Sequence, residues 1–357
     1  MSMPYETTQP ERSTIDALRG TVALDFGTDW CGYCRAAAPH ISEALSGQPE
    51  VRHIKVEDGS GRPLGRSFRV KLWPTVVFLK DGKEYARVVR PGDADEVRTA
   101  LARADLDITS REAVRAAAAR LKPGLIVNCA AYNDVDAAQR DPGPALDINA
   151  VGVLALARAA AETGATLVHY STDFVFDGET DRPYRESDVP RPMSFYGATK
   201  LLGERFAEDA PRHYVLRVES IFGGPTAGAT ARDGSLGSIV RKLKAGEEAA
   251  VFTDRTVSPS FAPDIARATR ALVEQGAPSG LYHCVNSGTA SWDEIAREAA
   301  AMLGVAPRLK PITLAQLTLA APRPRYCALD PSKIAAAGAP MRSWRDALRA
   351  WLTASAA

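Results

Sequence analysis

The chain has little net charge, few cysteines and no long apolar run, and each shortage excludes a class of protein. Forty-four lysines and arginines face 43 aspartates and glutamates, a net charge of +1, so no charge excess attracts nucleic acid or an anionic membrane. No stretch approaches about 18 uninterrupted apolar residues, which argues against a transmembrane helix. With 357 residues, the chain is long enough for two or three domains.

The five cysteines are too few, and odd in number, for a disulfide scaffold in a chain of this length. Cys129, Cys284 and Cys327 stand alone in apolar or mixed surroundings and are predicted to be buried thiols. Residues 1–14 are polar, lack the apolar core of a signal peptide and are expected to be flexible. These features predict a cytoplasmic protein.

Cys31 and Cys34 form a C-x-x-C pair between a predicted buried strand, residues 21–26, and a predicted helix, residues 35–45. At a helix N-terminus, unpaired N–H groups and the helix dipole favour thiolate over thiol. The second cysteine is then close enough to attack a mixed disulfide formed by the first. No second cysteine or histidine pair stands at ligand spacing, so zinc binding is disfavoured and no metal site is predicted.

Around the C-x-x-C pair the pattern continues with predicted strands at 51–56, 76–79 and 84–89 and a closing helix at 93–103. With W-C-G-x-C at 30–34, Asp25 and Pro74, residues 15–103 resemble thioredoxin over its whole length. The resemblance implies that Cys31 attacks and Cys34 resolves. It also implies that Asp25 is a buried proton acceptor and that Pro74 is a cis-proline facing the disulfide. A thioredoxin-like domain over 15–104 with a redox-active disulfide and protein disulfide partners is therefore expected.

From residue 105 onward, predicted strands alternate with long helices. Strands are predicted at 125–131 and 166–170, with a helix over 144–163 between them. This alternation is typical of an α/β fold with a doubly wound, Rossmann-like parallel sheet.

Two motifs in this second part carry chemistry. Residues 171–178 directly follow a predicted strand and so lie at the carboxyl edge, where such sheets bind ligands. Tyr196 and Lys200 share one helical face at i, i+4 spacing. A nearby ammonium is expected to lower the tyrosine pKa, as a proton donor to a carbonyl oxygen requires. Thr172 can hydrogen-bond the same oxygen.

The motifs S-T-D-F-V-F-D-G at 171–178 and Y-G-A-T-K at 196–200 resemble those of the extended short-chain dehydrogenase/reductases. Within that group the chain is similar to the dTDP-4-dehydrorhamnose reductases from about 105 to 352, with a small C-terminal substrate subdomain. Supporting stretches lie at 106–109, 128–132, 149–150, 216–220, 280–283 and 323–324. The resemblance implies a catalytic set of Thr172, Tyr196 and Lys200, with Lys200 also on the nicotinamide ribose.

The resemblance further implies NADPH or NADH as cofactor and a dTDP-hexose-like nucleotide sugar as substrate. The cofactor is expected to contact Tyr196, Lys200, Asp107, Ile108, Ala130, Ala131 and Asn133. The sugar nucleotide is expected to contact Thr172, Asp173, Arg255 and Arg323.

The family's opening strand, glycine-rich turn, helix and second strand are missing before residue 105. That turn binds the cofactor pyrophosphate, so cofactor binding is predicted to be weak or absent. The strand at 125–129 is predicted to form an unpaired apolar edge. The sequence thus predicts a two-module oxidoreductase with a truncated reductase domain over 105–357. A non-catalytic nucleotide-sugar-binding, regulatory or scaffold role for that domain stays open.

Overall fold

The computed structural model describes residues 4–102, 106–223 and 234–354. The chain divides between Asp107 and Ile108 into two compact units, close to the predicted boundary after residue 104. That residue, the predicted helix end at Arg103 and positions 1–3 lie outside the described residues.

The first unit is a four-stranded sheet flanked by helices. Its elements are α1 (Arg12–Asp16), β1 (Thr21–Gly27), α2 (Gly32–Ser46), β2 (Val51–Glu57), α3 (Pro63–Ser67), β3 (Thr75–Lys80), β4 (Lys83–Val89) and α4 (Ala94–Ala102). The sheet order is β2-β1-β3-β4, with β1 parallel to β2 and antiparallel to β3. Because β1 is buried along its whole length, it appears in the sequence as a nearly continuous apolar run. The Trp73–Pro74 peptide bond is cis.

The N-terminal segment packs on this unit instead of extending from it. Glu6 forms a bridge with Val56, its N–H donating to the Lys55 carbonyl at 3.2 Å. Tyr5 is only 6% exposed, and α1 begins inside the stretch expected to be flexible. The described part of residues 1–14 therefore belongs to the folded unit, because β2 offers it a free edge.

The second unit contains a parallel sheet with helices on its faces. Its elements are α5 (Arg111–Leu121), β5 (Leu125–Asn128), α6 (Val135–Arg140), α7 (Gly143–Leu146), a π-helical turn (Asp147–Val151), α8 (Gly152–Thr163), β6 (Thr166–Thr172), α9 (Phe195–Ala207), β7 (His213–Val218), β8 (Ile221–Phe222), α10 (Ser235–Ala245), β9 (Ala249–Phe252), β10 (Thr256–Val257), β11 (Ser260–Phe261), α11 (Ala262–Glu274), β12 (Gly280–His283), β13 (Ala290–Ser291), α12 (Trp292–Leu303), β14 (Leu309–Ile312), α13 (Ser332–Ala336) and α14 (Trp344–Ala354). The main sheet has the order β12-β7-β6-β5, all parallel. The predicted fold class is confirmed.

Helices α10, α12 and α14 form a separate core around Trp292 and Trp344, apart from the main parallel sheet. The short strand pairs β9–β14 and β10–β13 border this C-terminal core. It corresponds to the small subdomain that the sequence predicts.

Strand β5 forms the outer edge of the parallel sheet. Among the described residues it pairs with β6 alone, and Leu125 and Val127 are 41% and 44% exposed. Cys129, just beyond this strand, is exposed, so the prediction of a buried thiol is wrong there, whereas Cys284 and Cys327 are buried. An edge strand has no neighbour to cover its second side.

Within the part of the chain that the structure describes, one helical stretch, 143–163, is long and apolar enough to cross a membrane by length and composition. It comprises α7, the π-helical turn and α8, where the sequence predicted one helix. Of its most apolar window, 61% is buried inside the protein, and the core helices of globular proteins pass the same test.

Candidate active sites

The two cysteines of the C-x-x-C pair differ in exposure and acidity. Cys31 is the N-cap residue of α2 and is half-buried, Cys34 is buried, and both are free thiols. Burial opposes ionisation of Cys31, yet hydrogen bonds from the backbone N–H groups of Cys34 and Tyr33 lower its pKa. Burial raises the pKa of Cys34 to about 11. Cys31 is therefore the more acidic and more exposed thiol of the pair, and Cys34 holds its proton.

Asp25 lies behind the dithiol, 1% exposed, with one side chain near each of its carboxylate oxygens. The Tyr5 hydroxyl donates to Asp25 Oδ1 at 2.9 Å, and His53 Nε2 lies 3.4 Å from Asp25 Oδ2. The sequence analysis assigned neither residue to the site. The only local signal was a tyrosine in an otherwise polar segment.

Aromatic side chains surround the half-buried thiol. Trp30 and Tyr33 are 70% and 58% exposed, Trp30 meets Trp73 edge to face, and the Arg90 guanidinium stacks over Tyr33. Exposed aromatic clusters of this kind are typical of protein-binding surfaces.

The second unit holds a cavity of about 560 Å³ at the carboxyl ends of β5, β6 and β7, the edge where parallel sheets bind ligands. Its lining residues include Cys129, Ala131, Asn133, Tyr170, Ser171, Thr172, Asp173, Phe174, Tyr196, Lys200, Val218, Glu219, Ser220 and Ile221.

Tyr196, Lys200 and Thr172 come together in this cavity. Ser194 caps α9, and a Cβ at Gly197 would collide with the Phe174 carbonyl, so glycine lets α9 approach the loop after β6. The Tyr196 hydroxyl interacts with the Thr172 hydroxyl, and Lys200 Nζ donates to the Tyr170 carbonyl at 2.5 Å.

The expected effect of Lys200 on Tyr196 is not what the structure shows. Burial, and then the charge of Asp173, raise the pKa of Tyr196 to about 12. Burial lowers the pKa of Lys200 to about 8. The physical reason is that both groups are nearly dry, and the ammonium is directed to the Tyr170 carbonyl. Tyr196 therefore stays protonated.

A buried ion pair between Glu204 and Arg217 packs next to the α9 face that carries Tyr196 and Lys200. Glu204 lies one turn beyond Lys200 on α9 and accepts two hydrogen bonds from Arg217, at 2.8 and 2.7 Å. It also accepts one from Ser171 at 2.5 Å. Glu204 is a residue that the sequence analysis missed, although its i+4 spacing from Lys200 could have indicated it.

A second network holds the loop after β5. Asn149, in the π-helical turn, accepts from the Tyr132 N–H at 2.8 Å and donates to the Thr199 hydroxyl at 3.2 Å. Asn149 thereby connects the loop after β5 to α9 near Tyr196. π-Helical turns that interrupt an α-helix are frequent at functional sites.

A cluster of titratable groups lies beside the cavity. The ligand atoms of Asp173, Glu219 and Cys327 all lie within 4.8 Å of one another, and the Arg255 guanidinium donates to the Cys327 sulfur at 3.4 Å. Burial raises the pKa of Asp173 to about 6 and that of Glu219 well above its ordinary value. These donor types suit a divalent ion, but Arg255 already supplies positive charge there.

Most residues expected on the nicotinamide and sugar side line the cavity, and the others lie elsewhere. Thr172, Asp173, Ala131 and Asn133 line it together with Tyr196 and Lys200, whereas Asp107, Ile108, Ala130, Arg255 and Arg323 are outside its lining. Ile108 packs against Gly152, and Asp107 ends the first unit. Arg323 pairs with Asp136 at 2.9 Å. The two arginines are held by protein partners.

The cavity fits the reactive end of a nicotinamide cofactor better than its pyrophosphate. A buried tyrosine, threonine and lysine surround the space that a carbonyl would share with a hydride donor. After β5, however, the next helix N-terminus, that of α6, is capped by the Asp134 carboxylate and has Asp136 in its first turn. The Asp134 carboxylate accepts from the Ala137 N–H and Asp136 is paired with Arg323. The described residues of the second unit therefore offer phosphate no open helix N-terminus there.

Two family models match the chain. Residues 82–356 match the RmlD substrate binding domain, and residues 7–103 match thioredoxin. The matches overlap over 82–103, so the first begins earlier than the sequence analysis predicted.

Known proteins with similar sequence and structure agree with these matches. A dTDP-4-dehydrorhamnose reductase of Streptomyces griseus is 38% identical over 259 residues, which are 70% of this chain and 83% of that protein. The crystal structure of a Bacillus anthracis dTDP-4-dehydrorhamnose reductase in complex with NADP has a TM-score of 0.65 and 29% identity, covering 70% of this chain and 87% of that one. A Clostridium acetobutylicum dTDP-4-dehydrorhamnose reductase structure has a TM-score of 0.65 and 25% identity, covering 94% and 99%.

Proposed function

The chain belongs to the RmlD substrate binding domain family and carries a thioredoxin domain at its N-terminus, and on this basis we propose one activity for each unit. The first unit exchanges its dithiol with protein disulfides. The second binds a dTDP-linked sugar and reduces its keto group with a nicotinamide cofactor. Five free thiols fit a reducing compartment, so we place the protein in the cytoplasm.

The contrast between Cys31 and Cys34 supports the first activity. A half-buried thiol of lowered pKa attacks a substrate disulfide, while its buried neighbour stays protonated until the mixed disulfide forms. Changing Cys31→Ser should abolish reduction of insulin disulfides by the full chain, and Cys129→Ser should leave it unchanged. Full activity without the Cys31 sulfur would disprove this assignment.

The meeting of Thr172, Tyr196 and Lys200 in one cavity supports the second activity. Tyr196 would deliver a proton to the keto oxygen, Thr172 would hydrogen-bond the same oxygen, and the lysine ammonium would orient the reacting end of the cofactor. A reduced nicotinamide supplies the hydride when it is bound. The expectation of NADP rests on the Bacillus anthracis relative.

Cofactor binding is tested by calorimetric titration of the full chain with NADPH and with NADH. Micromolar binding supports the reductase, and keto-sugar nucleotides are then the substrates to assay. Binding of a dTDP-sugar without either cofactor would instead favour a non-catalytic nucleotide-sugar-binding or regulatory module. The acidic α6 N-terminus and the β5 edge, which has no partner strand among the described residues, are the observations that favour this second candidate.

A further inference from the structure

The N-terminal segment carries Tyr5 into the space beneath the dithiol. Glu6 pairs with β2, and the Tyr5 N–H donates to Asp29 Oδ1 at 3.3 Å. These contacts direct the phenol inward, where it donates to Asp25 Oδ1 at 2.9 Å and interacts with the Cys34 thiol. The hydroxyl thus bonds the buried carboxylate and lies beside the resolving thiol.

Gly27 leaves the room for this contact. A Cβ on Gly27 would stand 2.6 Å from the Tyr5 hydroxyl oxygen and 2.8 Å from Cys34 Sγ. Both atoms therefore crowd the same point, and any larger residue would force one of them away. The missing side chain of Gly27 therefore allows the Tyr5 hydroxyl and Cys34 Sγ to lie close together.

The buried thiol needs a route for its proton. Cys34 and Asp25 are 2% and 1% exposed, so direct exchange of their protons with bulk water is slow. We propose that the Tyr5 hydroxyl relays the proton of Cys34 to Asp25 during the resolving step of disulfide exchange. This inference rests on the dithiol activity proposed above.

In this step the Cys31 sulfur is already joined to one sulfur of the substrate. The Cys34 S–H gives its proton to the Tyr5 oxygen, while the tyrosine O–H proton passes to Asp25. The Cys34 thiolate then attacks Cys31 Sγ, forming the Cys31–Cys34 disulfide and releasing the substrate thiolate, which takes a proton from water. The protein dithiol is oxidised and the substrate disulfide is reduced.

The charged groups around the phenol are consistent with a hydroxyl that stays protonated between turnovers. Burial, and then the Asp25 charge, raise the pKa of Tyr5 above its ordinary value. Lys55 Nζ lies 4.1 Å from the centre of its ring. On the far side of Asp25, His53 Nε2 lies 3.4 Å from Asp25 Oδ2, and the His53 side chain is 21% exposed.

The test compares Tyr5→Phe with the wild-type full chain, using a peptide that contains one disulfide. Acid-quenched samples are analysed by intact mass to follow the mixed disulfide on Cys31. Tyr85→Phe is the matched control, since it removes a hydroxyl that bonds the Leu101 carbonyl within the same unit. Near neutral pH, we expect the mixed disulfide of the Tyr5→Phe variant to last at least about tenfold longer, while its rate of formation is unchanged.

The pH dependence separates a relay from a structural role. Without the relay, Cys34 must lose its proton to solvent, so its resolving rate should climb with pH toward the wild-type rate. A lifetime equal to wild type, or one lengthened equally at every pH, overturns the relay while leaving the exchange activity in place. A wild-type chain that forms no mixed disulfide overturns the proposed activity and the relay with it.

Discussion

The two sites differ in what stands at the helix N-terminus beside them. The first turn of α2 holds Cys31 at its N-cap and contains no acidic residue, so its N–H groups are directed toward a sulfur that becomes negative. The α6 N-terminus is already capped by the Asp134 carboxylate. The first site therefore directs a helix N-terminus at a thiol, whereas the described part of the second site shows no helix N-terminus left open for an anion.

The sheet edges show the same contrast. The outer edge of β2 is covered by the N-terminal segment, which also delivers Tyr5 to the dithiol. The outer edge of β5 has no partner among the described residues. One edge thus gains a functional residue from the pairing that protects it, and the other leaves apolar side chains exposed.

The largest expected effect would show that the two sites act independently. Changing Tyr196→Phe removes the proton donor, so reduction of a dTDP-4-keto-sugar should slow by about 10²–10⁴-fold. The rate is measured from the absorbance of the nicotinamide cofactor. Disulfide exchange by the same variant should be unaltered. Tyr214→Phe, which loses a hydroxyl bonded to the Ala277 carbonyl outside the cavity, is the control. Unchanged keto reduction would assign the proton to another group.

A second variant tests how much the Glu204–Arg217 ion pair stabilises the second unit. Changing Glu204→Gln leaves the buried Arg217 charge without its partner and should cost about 3–5 kcal/mol of unfolding free energy. Hydrogen exchange along α9 reports this locally, and the first unit should keep its protection. Glu162→Gln, in the exposed pair with Arg115, should cost at most about 1 kcal/mol. Equal effects would mean that burial does not strengthen the Glu204 pair.

A pH series isolates the second site through Asp173. Its pKa is raised from 3.8 to about 6, so the folded state binds this proton more tightly than the unfolded state. The resulting stability is fully present below pH 3.8 and is lost as the pH rises through 6, a change of about 3 kcal/mol. Asp173→Asn should lack this loss when hydrogen exchange in the second unit is compared across the window. Parallel pH curves for variant and wild type would contradict it.

The smallest expected effect concerns the open edge. Changing Val127→Lys on β5 should alter the unfolding free energy by no more than about 0.5 kcal/mol and should reduce self-association in sedimentation velocity. Val189→Lys, at a side chain 72% exposed elsewhere in the same unit, serves as control. A wild-type chain that is monomeric at every concentration would show that this edge does not pair between copies.

The sequence predicted those site residues that are close together along the chain. The C-x-x-C pair needs only a strand followed by a helix, and Tyr196 and Lys200 need only one helical face. It could not predict that Tyr5 reaches Asp25, because that contact depends on pairing between the N-terminal segment and β2. It also did not predict that Arg255 would face Asp173, Glu219 and Cys327, which come from separate parts of the chain.

By itself, the amino-acid sequence determined the two α/β units, the dithiol at a helix N-terminus and the tyrosine–lysine face of α9. Only the tertiary structure decided the protonation of these groups. Burial raises the pKa of Tyr196 and lowers that of Lys200, whereas the spacing alone suggested that the lysine would acidify the tyrosine. The physical reason is that a pKa depends on water and on charges brought in by remote segments, and neither is encoded in local spacing.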